Sequence, residues 1–269
     1  MGVYADLSLA VLDNVPSETF REDEGLNRML SQTYQYIAVS RIYTASPGAL
    51  DHFKIITDLI SAMALMRDPG KEEEAVSDWT RSYEAFGGIP GSTLIEQEWP
   101  AVHLALIYAL RKDPADWQKG EDILLPVLKA REQKFGKDSN LSIVSGKVLH
   151  VLGDLRRSQG NLNEALDLFQ RALGIFRATI GNNHYITADS CYRFAEQLIR
   201  TGKKDEANRL LEPSLKIYGD TPWYKPQASR SAFMKGKLLK SMGNDVEGDA
   251  QLQRAMTLRK EIVPDDHRS

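Results

Sequence analysis

Residues Leu149–Leu173 read LHVLGDLRRSQGNLNEALDLFQRAL, and residues Cys191–Leu215 read CYRFAEQLIRTGKKDEANRLLEPSL. A shift of 42 residues lays one on the other: Gly160 on Gly202, Glu164 on Glu206, Ala165 on Ala207, Phe169 on Leu211 and Leu173 on Leu215. Self-similarity at a fixed period of this size marks a solenoid or array. The residue types explain the spacing. Two antiparallel helices approach closely only where small residues meet at the crossing, and Gly153, Ala165 and Ala172 supply them. Phe169 fills the gap between neighbouring hairpins. Gly160 ends the first helix, because that turn needs a residue that accepts positive φ. Asn161 is placed to cap the second helix.

Counted from Gly146 as position 1, Gly153, Gly160, Ala165, Phe169 and Ala172 fall at positions 8, 15, 20, 24 and 27. This pattern resembles the signature of the tetratricopeptide repeat family. The unit is longer than the usual ~34 residues. It closes on Ile180-Gly181-Asn182-Asn183-His184, as the preceding unit closes on Phe135-Gly136-Lys137-Asp138. Long helices with that closure resemble the kinesin light chain subtype, with 41–45-residue units. Leu149 and Arg156 depart from the signature, standing where it prefers Trp and Tyr.

The register extends both ways. A forward shift aligns Gly202 with Gly243, and brings Gly236, Gly248, Leu252 and Ala255 into place. A backward shift aligns Gly120, Leu124, Val127 and Leu128, and a second aligns Gly70, Ala75, Trp79 and Tyr83. Five units follow, over 50–87, 94–138, 140–183, 185–220 and 224–263, the first, second and fifth degenerate. The resemblance implies an all-α, right-handed α-solenoid of antiparallel helix hairpins. Its domain plan is an N-terminal helical cap (1–48), an array of about five units (49–263) and a polar tail (264–269). Pro126 and Pro213 fall at one position inside second helices, where each removes a backbone hydrogen bond and bends the helix.

Composition narrows the function classes. Lys+Arg 34 against Asp+Glu 37 gives a net charge of −3, so nothing global attracts nucleic acid. A single cysteine, Cys191, permits no intrachain disulfide and suits a reducing compartment. No run approaches the ~18 apolar residues of a membrane span. The first residues carry acidic Asp6 and Asp13 and lack the basic start of a signal peptide. The expected location is cytoplasmic, with the nucleus as the alternative, and no membrane partner is expected.

The resemblance also assigns a binding surface, because first helices line the groove in such arrays. The groove positions of units three to five are Lys147, His150, Val151, Asp154, Arg157, Ser158, Asp189, Tyr192, Arg193, Glu196, Ile199, Arg200, Arg230, Phe233, Met234, Lys237, Lys240 and Ser241. Lys147, Arg157, Arg193, Arg200, Arg230, Lys237 and Lys240 outnumber Asp154, Asp189 and Glu196. A basic wall on an acidic chain would favour an acidic protein or peptide. The other reading is a solvated face with scattered lysines. In units one and two the same positions are mostly apolar, with Ile60, Ala64, Val102, Ala105, Leu106 and Ala109. Either they accept a hydrophobic partner or the helix expected over 23–43 folds across them.

Catalytic signals are sparse. His150 and Asp154 share a helix face at i, i+4, and with Tyr192 and Arg193 they could form an acid–base or small-molecule pocket closed by the N-terminal helix. Cys191 falls at a packing position. The five histidines are dispersed, lacking zinc-ligand spacing, and no cofactor is expected. Gly87-Gly88-Ile89-Pro90-Gly91 lacks the Lys-Ser/Thr of a phosphate loop and reads as a linker. The paired asparagines of the family's carboxylate clamp are missing, so chaperone-tail binding by that mode is not expected. Two function classes remain: a non-catalytic interaction module or scaffold, and a small-molecule binder or enzyme. Self-association through an exposed end of the array, giving a homo-oligomer, is a third reading.

Overall fold

A computed structural model of the chain describes residues 72–88, 94, 97–219 and 224–262. Among them are nine α-helices and no strand: α1 (Glu72–Gly88), α2 (Glu98–Leu110), α3 (Pro114–Phe135), α4 (Ile143–Ser158), α5 (Leu162–Ile180), α6 (Tyr185–Arg200), α7 (Lys204–Tyr218), α8 (Lys225–Ser241) and α9 (Asp245–Ile262). Each helix packs on its neighbours in sequence. The first helices of successive hairpins also touch, α2 on α4 and α6 on α8. That is an all-α solenoid. The expected cap over 1–48, the first helix of unit one and the tail lie outside the described residues.

The turns inside the hairpins are made as their glycines require. Gly160, Gly202 and Gly243 hold φ of 83°, 81° and 85° after α4, α6 and α8. In each, the next residue's N–H reaches back five positions: Asn161 to the Arg156 carbonyl, Lys203 to Leu198 and Asn244 to Leu239. This closure satisfies carbonyls that the helix end would otherwise leave open. Asn161 stands at the cap position of α5, but its side chain makes no capping bond. The Leu162 N–H already donates to the Gly160 carbonyl, so the turn itself does part of the cap's work. In units three and four, side-chain caps appear instead where the chain enters the hairpin. Ser142 Oγ accepts from the Val144 N–H, and His184 Nδ1 from the Ile186 N–H.

Close crossings account for the small residues. A Cβ on Gly153 would stand 2.9 Å from the Phe169 ring, and one on Gly236 would stand 2.7 Å from Leu252 and 2.9 Å from the Gly248 carbonyl oxygen. Phe169, Ala165, Ala172, Ala207 and Leu211 are fully buried; a phenyl ring so placed stabilises by about 1.5–3 kcal/mol. Pro126 lies inside α3 and Pro213 inside α7.

Unit two departs from the register. By the repeat alignment the first helix should cross its partner at Tyr108. Instead Gly120 of α3 lies beside the Ala105 carbonyl, where an added Cβ would stand 3.5 Å away, and its tightest neighbour is Leu155 of α4 at 2.9 Å. The reason is local. Asp113 caps α3, its Oδ1 accepting from the Ala115 N–H, and Pro114 opens that helix. Proline cannot continue α2, so α2 ends at Leu110 and the crossing moves one turn earlier. Val102, Ala105 and Ala109, expected on a groove, therefore lie in the core with Leu124, Val144, Val148 and Leu155.

Candidate functional site: the inner wall of first helices

The first helices α2, α4, α6 and α8 form one layer, the inner wall, and side chains join it from end to end. At the α2 end three rings are stacked. His103 lies 4.5 Å from Trp79 and 5.6 Å from Trp99, with interplanar angles of 15° and 11°. The Lys147 ammonium of α4 sits 4.0 Å from the Trp99 ring centre, a cation–π distance. Burial drives both cationic groups toward neutrality. It brings His103 down to about 3, with Lys147 adding repulsion, and lowers Lys147 to about 8.

Further along, His150 meets Phe169 edge-on at 5.3 Å, and its Nε2 lies 4.0 Å from Asp154. Burial lowers the His150 pKa more than Asp154 and Asp189 raise it. The Asp154 side chain, 2% exposed, accepts a hydrogen bond from Arg157 at 2.8 Å. Arg157 also crosses to α6 and donates to Glu196 at 2.9 Å. Glu196 is approached by two more guanidinium groups, Arg200 at 3.4 Å and Arg193 at 3.6 Å. From α8, Arg230 donates to Asp189 at 2.7 Å and lies 4.0 Å from the Tyr192 ring centre. Burial opposes the Arg193 charge, yet Asp154, Asp189 and Glu196 together hold its pKa above the ordinary value.

Most groove-register residues thus occupy one connected wall: Lys147, His150, Asp154 and Arg157 on α4, Tyr192, Arg193, Glu196 and Arg200 on α6, and Arg230 on α8. Phe233 is 52% exposed, with Lys237 5.4 Å above its ring. Lys240 turns the other way, toward α9. It pairs with Asp249 at 2.5 Å, and its stem passes Gly248.

The wall is far less basic than its residue list. Arg157, Arg200 and Arg230 are matched by acidic partners, two of them from a neighbouring repeat. Sequence position could not show this, because the pairing depends on how far side chains reach between helices some 40 residues apart. The Trp79–His103–Trp99 stack was also missed; the aromatic and histidine spacing in α2, Trp99 to His103 at i, i+4, was the available signal.

Cys191 is fully buried, and burial raises its thiol pKa. Among the described residues no group of three His, Cys, Asp or Glu could hold a metal ion. None of their helices is long and apolar enough to cross a membrane. Two clefts, of about 440 and 500 Å³, lie away from the wall: one is lined by Leu125, Leu128, Leu152 and Leu168, the other by Lys225, Thr257 and Leu258.

This geometry, a layer of first helices backed by second helices and turned by recurring glycines, defines a helical-repeat protein. Residues 144–220 match the family described as Tetratricopeptide repeat. Over that span the chain is similar to the tetratricopeptide repeat family. The fold is similar to that of BtubC (BKLC) from P. vanneervenii, with a TM-score of 0.67, 15% identity, and 89% of this chain and 93% of that chain covered. It is also similar to a kinesin light chain protein with nearly identical TPR-like repeats from Podosopora anserina, described as putative. There the TM-score is 0.58 at 17% identity, with 79% of this chain and 96% of that chain covered. No curated protein sequence matches the chain.

Proposed function

We propose that this chain is a non-catalytic protein-interaction module or scaffold that seats an acidic peptide or protein segment along the inner wall of α4, α6 and α8. The repeat family supports a protein partner in general. One observation supports the acidic preference: among the described residues Lys237 is exposed on the wall with no carboxylate paired to it, and Arg193, although 3.6 Å from Glu196, keeps a buried Nε donor without an acceptor. A buried donor left unmet in the free protein favours a partner that supplies an acceptor. Phe233 and Met234 add apolar contact beside Lys237.

The pocket reading needs His150 and Asp154 open to a substrate. The Asp154 side chain is sealed, and His150 Nδ1 is buried with no hydrogen-bond partner. Self-association is also the weaker reading at the described end of the array. There α9 exposes Asp249, Gln253, Arg259 and Lys260 beside the apolar Val246, Met256 and Ile262, a mixed and mostly polar surface that suits a solvated terminal face.

The test is a labelled hexaglutamate peptide titrated against the wild type and the Arg193→Glu/Lys237→Glu variant. Binding should weaken at least about tenfold, and more at low salt, where exposed charges are least screened. Unchanged binding would overturn the acidic preference.

A further inference from the structure

Glu196 stands where a partner's anion would be expected. Among the described residues it is the one carboxylate on which three guanidinium groups converge: Arg157 from α4, and Arg193 and Arg200 from its own helix, at 2.9, 3.6 and 3.4 Å. Arg157 is shared with Asp154, so three guanidinium groups face two carboxylates in this cluster, and Asp189 acts on Arg193 from farther off. The buried Nε donors of Arg157 and Arg193 find no acceptor, so the cluster is not saturated. The Glu196 side chain is 22% exposed, whereas Asp154, the other acceptor of Arg157, is 2% exposed. Only one of these carboxylates can therefore swing into solvent without leaving a charge buried.

We propose that Glu196 is a resident competitor. In the free protein it occupies the anion site formed by Arg157, Arg193 and Arg200, and a partner's carboxylate displaces it on binding. This rests on the acidic-segment reading above and assigns that partner's carboxylate a specific seat. The exchange swaps one set of charge-assisted hydrogen bonds for another, so its net gain is small. Glu196 thereby sets a threshold: segments with a single weakly placed carboxylate lose to it, and segments that also engage Phe233 and Lys237 win.

The experiment measures hexaglutamate affinity for the wild type, Glu196→Gln, Glu196→Asp, Arg193→Gln and Asp205→Asn. The last removes one acidic charge from the exposed start of α7 and controls for net charge. Far-ultraviolet circular dichroism and thermal midpoints verify folding of each. Displacement predicts that Glu196→Gln binds about fivefold tighter than Asp205→Asn. Glu196→Asp, charge kept but reach shortened by one methylene, should recover part of that gain. Tighter binding by Glu196→Gln alone, with Glu196→Asp unchanged, marks plain charge repulsion and overturns displacement. No gain in either variant, while Arg193→Gln still weakens wild-type binding, overturns the competitor role and leaves the acidic-segment reading standing. Arg193-independent binding throughout would defeat both.

Discussion

Lys147 and Arg230 hold comparable places on the inner wall, each a cation reaching from one first helix to an aromatic ring of the preceding one, yet their surroundings differ in kind. Lys147 lies at the end of the Trp79–His103–Trp99 stack with no carboxylate paired to it among the described residues; burial depresses its pKa to about 8. Arg230 lies over Tyr192 with Asp189 attached, and its side chain is 39% exposed. Between them, Arg157 is tied to a sealed Asp154 and a half-open Glu196. The wall therefore runs from a dry end, where a charge is tolerated at a cost, to a wet end, where charges are matched and screened. Register assigns these positions the same role, but local dielectric decides what each charge is worth.

The largest effect is expected at the dry end. Trp99→Ala would remove the platform under Lys147 and one layer of the ring stack, at a cost of about 3–4 kcal/mol in urea unfolding. It would also admit water, so the Lys147 pKa, followed by side-chain NMR, should climb back from about 8 toward its ordinary value. A variant that lost stability with the lysine unchanged would show that the ring is not what desolvates it. Next comes the sealed middle. Arg157→Met would strand Asp154 without its hydrogen-bonded cation, at a cost of about 3 kcal/mol. Adding Asp154→Asn should recover much of that loss, and a double-mutant cycle without coupling would contradict the tie.

These two sites also mark how far the sequence could be read. Gly160, Gly202 and Gly243 announce the hairpin turns because only a residue without Cβ takes positive φ cheaply. Gly153 and Phe169 announce a crossing because the geometry leaves no room for a Cβ. Such constraints act within a single unit and leave a trace in residue type. The crossing in unit two slipped one turn because Asp113-Pro114 begins α3 early, and a shift carried over from units three and four does not sense that local start. Charge placement was legible only as a list. Whether Arg157 meets Glu196, or Lys147 meets a ring, depends on side-chain reach between repeats, which no single unit encodes. The basic wall therefore reads as stronger in sequence than it is in space.

A third measurement uses pH to separate the ends. The folded-state pKa of His103 is about 3 against an ordinary 6.5, so below pH 6.5 the unfolded chain binds a proton that the folded chain refuses. His103 thus contributes fully above pH 6.5, and its contribution is lost as pH falls toward 3. Between pH 7 and pH 5 the wild type should lose about 2 kcal/mol more than His103→Phe, which keeps an aromatic layer without the titrating nitrogen. Equal pH profiles would mean that water reaches the ring and the end is not dry.

The smallest effect belongs to the wet end, and its smallness is the informative part. Asp189→Asn removes the carboxylate from Arg230, but both side chains are about two-fifths exposed, 41% and 39%. Water can take over the freed guanidinium, and the Tyr192 ring 4.0 Å away still faces it. Solvent screening therefore holds the cost to about 0.5 kcal/mol or less at moderate salt, vanishing near 1 M. If Asp189→Asn instead cost as much as Arg157→Met and ignored salt, Arg230 would be as sealed as Asp154. The gradient along the wall would then be absent, and with it the reason for expecting a partner at the α6–α8 end rather than beside Lys147.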